Sequence, residues 1–158
     1  MTDRRAPAEV RTRPAVDDDV DWIAELRAIV LRSDLTRLGR YDDVRVRQRF
    51  RDAFAPEESR VIIVDGEEVG SVALRDEGGS RWLEHFYIAP SHQGAGVGGR
   101  ILTMLLDDDV PHRLNVLQGS PARALYERHG FVLERQDEVD VFMLREQTST
   151  DGVASDGR

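Results

Sequence analysis

The chain has 158 residues, of which 40% are hydrophobic and 33% charged, and this length suits one compact domain with a single core. A formal net charge of -8 disfavours binding to nucleic acid, because a phosphate backbone needs a basic surface. The absence of cysteine excludes disulfide bonds, thiolate metal sites and a cysteine nucleophile.

The sequence carries no pattern typical of membrane insertion or export. No apolar run approaches the roughly 20 residues that a membrane-spanning helix needs. Residues 1–13 are polar and lack the apolar segment of a signal peptide. We therefore expect a cytoplasmic protein with no membrane partner. Residues 1–8 should form a flexible lead, residues 9–146 the domain and residues 147–158 a disordered tail.

The first third of the chain predicts one strand and two helices. Residues 10–14 form the strand, and the acidic residues Asp17 to Asp19 then predict the start of a helix that runs to about Arg32. A second helix is predicted over residues 42–54. The apolar positions at helical spacing are Val20, Ile23, Leu26, Ile29 and Val30 in the first helix and Val44, Phe50 and Phe54 in the second.

After Pro56 the pattern changes to hairpins. Asp65-Gly66 is a strong turn signal between two apolar segments, and a third strand ends at Pro90. The predicted strands are 61–64, 69–74, 82–89, 114–117, 131–134 and 139–144, with one helix after the glycine-rich loop at residue 93 and another from Ser120 to Gly130. This order predicts a mixed α+β fold with a mostly antiparallel sheet, not a regular βαβ alternation.

The loop from Gln93 to Gly99 contains four glycines among seven residues and lies between a strand and an amphipathic helix. Glycine lets the backbone approach a ligand closely, and the unpaired N–H groups of a helix N-terminus bind phosphate well. Arg100 in the first turn could add a charge-assisted contact. Taken alone, the loop fits either a phosphate site or a plain flexible turn.

The same loop also fits the dinucleotide-binding pattern G-x-G-x-x-G through Gly94, Gly96 and Gly99. Three features count against an oxidoreductase of that kind. Four residues separate the strand from the loop, the acidic residue expected about 20 positions later is missing, and the preceding strands form hairpins.

Two segments resemble the GNAT superfamily of N-acetyltransferases. Phe86-Tyr87-Ile88-Ala89-Pro90 followed by Gln93-Gly94-Ala95-Gly96-Val97-Gly98 is similar to the family signature [QR]-x-x-G-x-[GA]. Leu114-Asn115-Val116 and the run from Ser120 to Phe131 resemble the later strand and last helix of the family, with its Tyr-x-x-x-Gly-Phe ending. Together with the element order, the resemblance covers nearly the whole chain except its two ends.

The resemblance implies a splayed central sheet with acetyl-CoA between the strands at 82–89 and 114–117. It implies a primary amine of a small molecule or peptide as acceptor, and a homodimer is common among similar proteins. The residues it implies at the cofactor are the main-chain groups of Phe86, Tyr87 and Ile88, and the loop residues Gln93, Gly94, Ala95, Gly96, Val97, Gly98, Gly99 and Arg100. The amide of Ile88 would stabilise the oxyanion. Ser120 stands where the family often has asparagine, which leaves its contact with the cofactor open.

Direct attack by a neutral amine needs no covalent enzyme intermediate. Tyr126 matches the family tyrosine that protonates the departing CoA sulfur, although an aromatic core residue would fit the same position. Glu84 alternates with Trp82 and Phe86, so the three should share one face, and we expect Glu84 to act either as the base or as an exposed carboxylate paired with arginine. The same parity places His85 on the opposite face.

The acceptor pocket should come from the first two helices and their linker, where Arg37, Arg40, Tyr41, Arg45 and Arg49 are concentrated. These arginines either bind a substrate carboxylate or phosphate, or form a solvated face beside Asp42 and Asp43. Asn115 could orient substrate or water. The four histidines show no metal-ligand spacing, and no function follows for Asp107 to Asp109. A non-catalytic acyl-CoA-binding module remains the alternative from another class.

Overall fold

A computed structural model describes residues 7–148, so most of the predicted lead and tail lies outside the described residues. The strands are β1 (Val10–Pro14), β2 (Ser59–Val64), β3 (Glu67–Glu77), β4 (Ser80–Ile88), β5 (His112–Leu117), β6 (Val132–Gln136) and β7 (Asp140–Arg145). The helices are α1 (Val20–Arg37), α2 (Asp43–Ala53), α3 (Val97–Leu105) and α4 (Ala122–Arg128).

The seven strands form one sheet in the order β1-β2-β3-β4-β5-β7-β6. Neighbouring strands are antiparallel except β4 and β5, which are parallel. The predicted mixed α+β fold is therefore confirmed. The doubly wound parallel sheet required by the dinucleotide-binding alternative is contradicted by these pairings.

The sequence located the first hairpin correctly. Asp65 and Gly66 both have positive φ, 50° and 84°, between the paired strands β2 and β3. Two consecutive positive φ values define the turn whose twist matches that of the flanking strands, and aspartate and glycine adopt them at low cost. This turn sets the register that brings β3, and then β4, to the centre of the sheet.

Helices cover both faces of the sheet. On one face, Ile101 and Leu102 of α3 and Tyr126 of α4 pack with strand residues such as Leu83 and Leu114. On the other face, Ile23 and Leu26 of α1 and Phe50 of α2 pack with Tyr87 of β4. β4 thus contacts helices on both sides, which fixes it firmly at the centre of the fold.

Two details of the predicted helices were wrong. α1 continues to Arg37, and its buried side is built from Ile23, Leu26 and two alanines while Ile29 is exposed. In α2 Val44 is 74% exposed, and Val46 takes its place in the core one turn before Phe50. The reason is the helix start: the Asp42 side chain accepts the N–H groups of Val44 and Arg45, which places Val44 in the solvent-facing first turn.

β4 contains an extra residue relative to β3. Ser71 pairs with Tyr87 and Ala73 with Glu84, so two steps along β3 match three along β4, and His85 lies in the left-handed region at φ 49°. Such a β-bulge reverses the side-chain alternation that follows it. The expectation that Glu84 and Phe86 share a face was wrong, because Leu83 and Phe86 both pack with the α3–α4 cluster and Glu84 lies on the other face. His85 is opposite Phe86 as expected, with its ring centroid 5.1 Å from that of Phe50 of α2, but it shares its face with Glu84, which was not expected.

β4 and β5 pair at only two positions, Arg81 with His112 and Trp82 with Arg113. Beyond Trp82 the strands diverge, and a gap opens between the end of β4 and the end of β5. The splayed sheet implied by the resemblance is therefore present.

The acidic run at residues 107–109 has structural partners. Asp107 accepts the backbone N–H of Asp109, and Asp108 pairs with Arg145 of β7 at 2.6 Å. These contacts give the run a role in holding the connection between α3 and β5. Within residues 7–148, no helix is long and apolar enough to cross a membrane.

His112 predicts how stability depends on pH. It is fully buried, and neither ring nitrogen has a partner at good hydrogen-bond geometry among the described residues. Burial, with the charges of Arg145 and Arg81, lowers the pKa of His112 despite the opposing effects of the Val110 backbone and the Asp107 charge. Its folded-state pKa lies below the unfolded value of about 6.5, so the unfolded chain takes up a proton first and stability falls as pH drops below that value.

We expect the free energy of unfolding, measured by urea denaturation, to fall between pH 7.5 and 5. A His112→Gln variant should have a flatter pH profile in this window than His92→Gln, a matched change at a more exposed histidine. Equal slopes in the two variants would contradict the assignment to His112.

Candidate active site

A cavity of about 1120 Å³ runs from the N-terminus of α3, through the gap between β4 and β5, to α1 and α2. It places the glycine-rich loop, the bulged end of β4 and the arginine-rich helices around one space. The predicted site residues that line it are Glu84, Phe86, Tyr87, Ile88, Gln93, Gly94, Gly96, Val97, Gly98, Gly99, Asn115, Ser120, Tyr126 and Arg40.

The glycine-rich loop ends in a helix N-terminus that faces this cavity. Gly96 has φ 84° and precedes α3, and the first bond of the helix runs from the Arg100 N–H to the Gly96 carbonyl at 3.1 Å. The N–H groups of residues 97–99 therefore precede the helical hydrogen bonds and are open to an anion. A β-carbon on Gly98 would lie 3.0 Å from the Leu125 side chain, so glycine allows α3 to approach α4 closely.

Two residues that were predicted to contact the cofactor, Arg100 and Ala95, do not line the cavity. Arg100 donates to the carbonyl of Ala8 at 2.6 Å and does not line the cavity, because its place on α3 turns it toward β1. Ala95 is also outside the lining. The Gln93 side chain donates to the Ile88 carbonyl at 2.8 Å, which ties the loop to the end of β4.

The backbone of β4 presents different groups to the two sides. The Ala89 N–H donates to Val69 of β3, and antiparallel alternation then directs the peptide groups of Tyr87 toward β3 and those of Ile88 toward the gap. Tyr87 thus has its main chain engaged with β3, and the Ile88 N–H is the group available to a ligand. A β-carbon on Gly70 would overlap the Tyr87 carbonyl, so only glycine permits this close pairing.

Tyr126 lies on α4 between the rings of Phe86 and Phe131, at centroid distances of 6.5 and 5.9 Å. The side chain is 7% exposed, and burial raises the pKa of Tyr126 above its usual value. No hydrogen bond engages its hydroxyl within residues 7–148, and the residue lines the cavity. A phenol in this setting keeps its proton at neutral pH and has a donor free for a ligand.

Glu84 is held in a two-point ion pair. Both of its carboxylate oxygens accept from Arg75 of β3 at 3.0 Å, in the paired geometry typical of arginine and carboxylate. Glu84 nevertheless lines the cavity, so its remaining lone pairs can accept a hydrogen bond from a ligand or water. The arginine partner expected for Glu84 is therefore present. The role of Glu84 as the base stays a prediction.

Arg27, Tyr87 and His85 form a chain on the α1 side of β4. Arg27 donates from Nε to the Tyr87 hydroxyl at 2.9 Å, and that hydroxyl lies 3.2 Å from Nδ1 of His85. The Tyr87 hydroxyl accepts from Arg27 and can donate its own proton to His85 Nδ1; in that arrangement the neutral ring carries its proton on Nε2. Burial lowers the pKa of His85, which favours the neutral ring at the cavity.

Near β5 the cavity is lined by two polar side chains with local partners. The Ser120 hydroxyl accepts the Ala122 N–H at 3.2 Å at the start of α4, as expected of a capping serine. Asn115 donates to Asp140 of β7 at 3.0 Å. Its amide is thereby oriented across the strand pair at the edge of the gap.

The arginines expected at the acceptor pocket separate into two groups. Arg40, Arg45 and Arg49 line the cavity. Arg37 instead pairs with Asp34 and donates to the Gln118 carbonyl. Tyr41 lies outside the cavity, because its hydroxyl donates to Asp43 at 2.6 Å and its ring packs against Arg32.

Among the polar lining residues that sequence reasoning did not assign to the site, Arg27, His85 and Arg128 bear most directly on its chemistry. Arg27 lies inside an otherwise ordinary amphipathic helix, and nothing in its spacing distinguishes it from a surface arginine. His85 was not expected on the same face as Glu84, because the bulge was not foreseen. Arg128 follows the predicted Tyr126 by two positions on α4, and a basic residue so near that tyrosine was the one available signal.

The family of this chain follows from its sequence and its fold together. A family model described as an acetyltransferase (GNAT) domain matches residues 57–133, the segment that carries β2 to β5, the glycine-rich loop and α4. No curated protein sequence matches the chain at a significant level.

Solved structures with the same fold include three N-acetylating enzymes, each below 20% identity. The PaiA N-acetyltransferase of Thermoplasma acidophilum, in complex with coenzyme A, has a TM-score of 0.68 at 17% identity over 87% of this chain and 99% of that one. The ribosomal-protein-S18-alanine N-acetyltransferase of Escherichia coli has a TM-score of 0.67 at 15% identity, covering 89% and 96%. N-acetylglutamate synthase of Neisseria gonorrhoeae, complexed with coenzyme A and L-arginine, has 0.61 at 19% identity, covering 90% and 34%.

The family model, together with the fold, identifies an acyltransferase. The chain belongs to the GNAT superfamily of N-acetyltransferases, as its motifs indicated.

Proposed function

We propose that this protein transfers the acetyl group of acetyl-CoA to a primary amine of a small molecule or peptide, by direct attack in a ternary complex. The proposal rests on one continuous cavity that is shared by the free amides of α3, the Tyr126 hydroxyl and the wall of α1 and α2. Two of the structural neighbours were crystallised with coenzyme A, which supports the choice of cofactor.

The pyrophosphate of acetyl-CoA would bind the amides of residues 93–99 at the start of α3. The helix dipole and unpaired N–H groups stabilise an anion there without a lysine. Arg128 lines the same cavity from α4 and carries no ion pair within residues 7–148, so we assign to it the charge-assisted phosphate contact that Arg100 cannot make.

The pantetheine arm would lie along β4 in the gap, where Phe86 and Ile88 face the missing neighbour strand. Its amides would pair with β4 as an extra strand does, which satisfies main-chain groups that β5 leaves open. The Ile88 N–H would then donate to the thioester carbonyl oxygen and stabilise the negative charge that develops on it.

The reaction balances with groups of this chain. The neutral amine attacks the thioester carbon, a carbon–nitrogen bond forms and the carbon–sulfur bond breaks. Tyr126 would donate its proton to the departing thiolate, and Glu84 would accept the amine proton, directly or through water. The phenol is afterwards restored by proton exchange with solvent.

The alternative is an acyl-CoA-binding module without turnover. It is favoured by the two-point pairing of Glu84 with Arg75, which occupies the obvious base, and by the short Ser120 side chain where the family often has asparagine. Thermal stabilisation by acetyl-CoA without thiol release across a broad panel of amines would support this alternative. The homodimer implied by the resemblance stays a prediction.

Acetyl-CoA at 100 times its Kd should raise the free energy of unfolding by about 2.7 kcal/mol. For a chain of this size, that corresponds to a rise of ~5–10 °C in the melting temperature. Gly96→Glu should abolish the shift, because the new side chain strains a residue at φ 84° and places a carboxylate beside the phosphates. Gly78→Glu is the matched control, since Gly78 also has positive φ and open space but lies in the β3–β4 turn. No shift for the unmodified protein at millimolar acetyl-CoA would refute the proposed cofactor.

Tyr126→Phe should lower kcat by about 10²-fold or more, the typical worth of a positioned proton donor, with little change in the Kd for acetyl-CoA. The measurement is thiol release at saturating substrates, with cofactor affinity followed by thermal shift. Tyr41→Phe, which removes a hydroxyl outside the cavity, should keep its turnover. Unchanged kcat in Tyr126→Phe would remove this residue from the mechanism.

Glu84→Gln should lower kcat by about 10²-fold at pH 7, and the loss should shrink as pH rises and more amine arrives neutral. Glu77→Gln provides the comparison, because Glu77 is the other carboxylate partner of Arg75 and lies outside the cavity. A pH-independent loss, or an equal loss in both variants, would show that Glu84 acts only by holding Arg75.

A further inference from the structure

The α2 wall of the cavity carries arginine side chains without a carboxylate partner. Arg45 and Arg49 are exposed, line the cavity and form no ion pair with any residue from 7 to 148. Arg40 lines it as well, but its charge acts on Asp137 across the cavity. Unpaired cations facing one cavity are conspicuous in a chain whose net charge is -8.

Helix geometry separates these two arginines from the others on α2. Residues four apart share a face, so Arg45 and Arg49 form one row and Arg47 and Arg51 another, on either side of the buried Val46 and Phe50. The second row pairs with α1: Arg47 with Glu25 at 2.7 Å and Arg51 with Asp21 at 3.3 Å. Arg45 and Arg49 line the cavity and have no carboxylate partner among residues 7–148.

The cavity carboxylates nearby are already engaged. Asp34 pairs with Arg37, Glu84 with Arg75 and Asp140 with Asn115. Asp137 accepts the backbone N–H groups of Val139 and Asp140. Of the acidic residues that line the cavity only Glu138 has no such partner, and it belongs to the β6–β7 turn with Asp137.

The arginine row is coupled to the reacting end of β4. Arg27 bridges them, since its Nε donates to the Tyr87 hydroxyl and its Nη1 to the Val46 carbonyl of α2. Val46 is the neighbour of Arg45 in sequence, and Tyr87 is the neighbour of Ile88. A small acceptor with its amine near Ile88 therefore has the arginine row within the same enclosed space.

We propose that the acceptor carries an anionic group, a carboxylate or a phosphate, which Arg45 and Arg49 bind while its amine attacks the thioester. The proposal rests on the function proposed above and names its substrate class. The paired N–H groups of a guanidinium match two oxygens of either anion, and two guanidinium groups one turn apart orient the acceptor as well as attract it. The acidic β6–β7 turn across the cavity favours the cationic end of such a substrate and repels its anion, which sets the direction of binding.

The test compares acceptors that differ only in the anion. Thiol release is measured with each of the standard amino acids against its carboxamide, and with O-phosphoethanolamine against ethanolamine. The anionic members should have a KM at least about tenfold lower, as expected for charge-assisted hydrogen bonds. Preference for the amino acids or for phosphoethanolamine distinguishes carboxylate from phosphate.

The double variant Arg45→Gln/Arg49→Gln should reduce this preference by about tenfold or more, through KM. The matched control is Arg47→Gln/Arg51→Gln, which makes the same charge change at the same spacing on the other row and should keep the preference. The single variants Arg45→Gln and Arg49→Gln replace the double one if its melting temperature shows that it does not fold. Equal KM values within each pair of acceptors, or equal effects in both double variants, would overturn the proposal.

Failure of the proposed function is recognised separately. If acetyl-CoA does not stabilise the protein, the transferase proposal fails first. If acetyl-CoA binds but no amine is acetylated, the anion site is tested by binding alone. The melting temperature is then measured with CoA and each anionic acceptor. Stabilisation by an acid that is lost in Arg45→Gln/Arg49→Gln and kept in Arg47→Gln/Arg51→Gln supports the anion site, and its absence overturns it.

Discussion

β4 and β5 share only two residue pairs before they diverge, and the rest of the site depends on that separation. A central strand that loses its neighbour leaves main-chain N–H and C=O groups without partners, which is costly unless a ligand or side chain satisfies them. Here Gln93 satisfies the Ile88 carbonyl, and the Ile88 N–H is left for a ligand. The open edge of β4 is thus a binding surface made of backbone, and its specificity lies in shape more than in side-chain chemistry.

The bulge at His85 adds a second consequence. By inserting one residue it turns both Glu84 and His85 toward the α1–α2 side, while Phe86 stays with Tyr126 on the α3–α4 side. The polar groups on the side proposed for the acceptor and the apolar groups on the side proposed for the cofactor therefore come from adjacent positions of one strand. Ser71 supports this geometry, because its hydroxyl donates to the His85 carbonyl at 2.9 Å and so satisfies a group displaced by the bulge.

Charge is distributed along the cavity in the same way. At the end proposed for the cofactor the cavity presents the amides of α3 and Arg128, at the β6–β7 turn it is acidic, and on the α2 side it presents Arg45 and Arg49. The other two arginines of α2, Arg47 and Arg51, are paired with Glu25 and Asp21 of α1. Local pairing of the neighbouring arginines thus leaves Arg45 and Arg49 as charges that act on the cavity.

The sequence by itself determined the order of the elements, the hairpin at Asp65-Gly66 and the glycine-rich helix start, since each depends on residues adjacent in the chain. It also determined the family, because two motifs at a fixed interval are local patterns. The tertiary structure decided which side chains face the cavity: a positive φ at a histidine has no sequence signal, yet the bulge there places Glu84 and Phe86 on opposite faces of β4. It also decided which charges are neutralised, because the partners of Arg75, Arg47 and Arg100 come from other segments of the chain, and only folding brings them together.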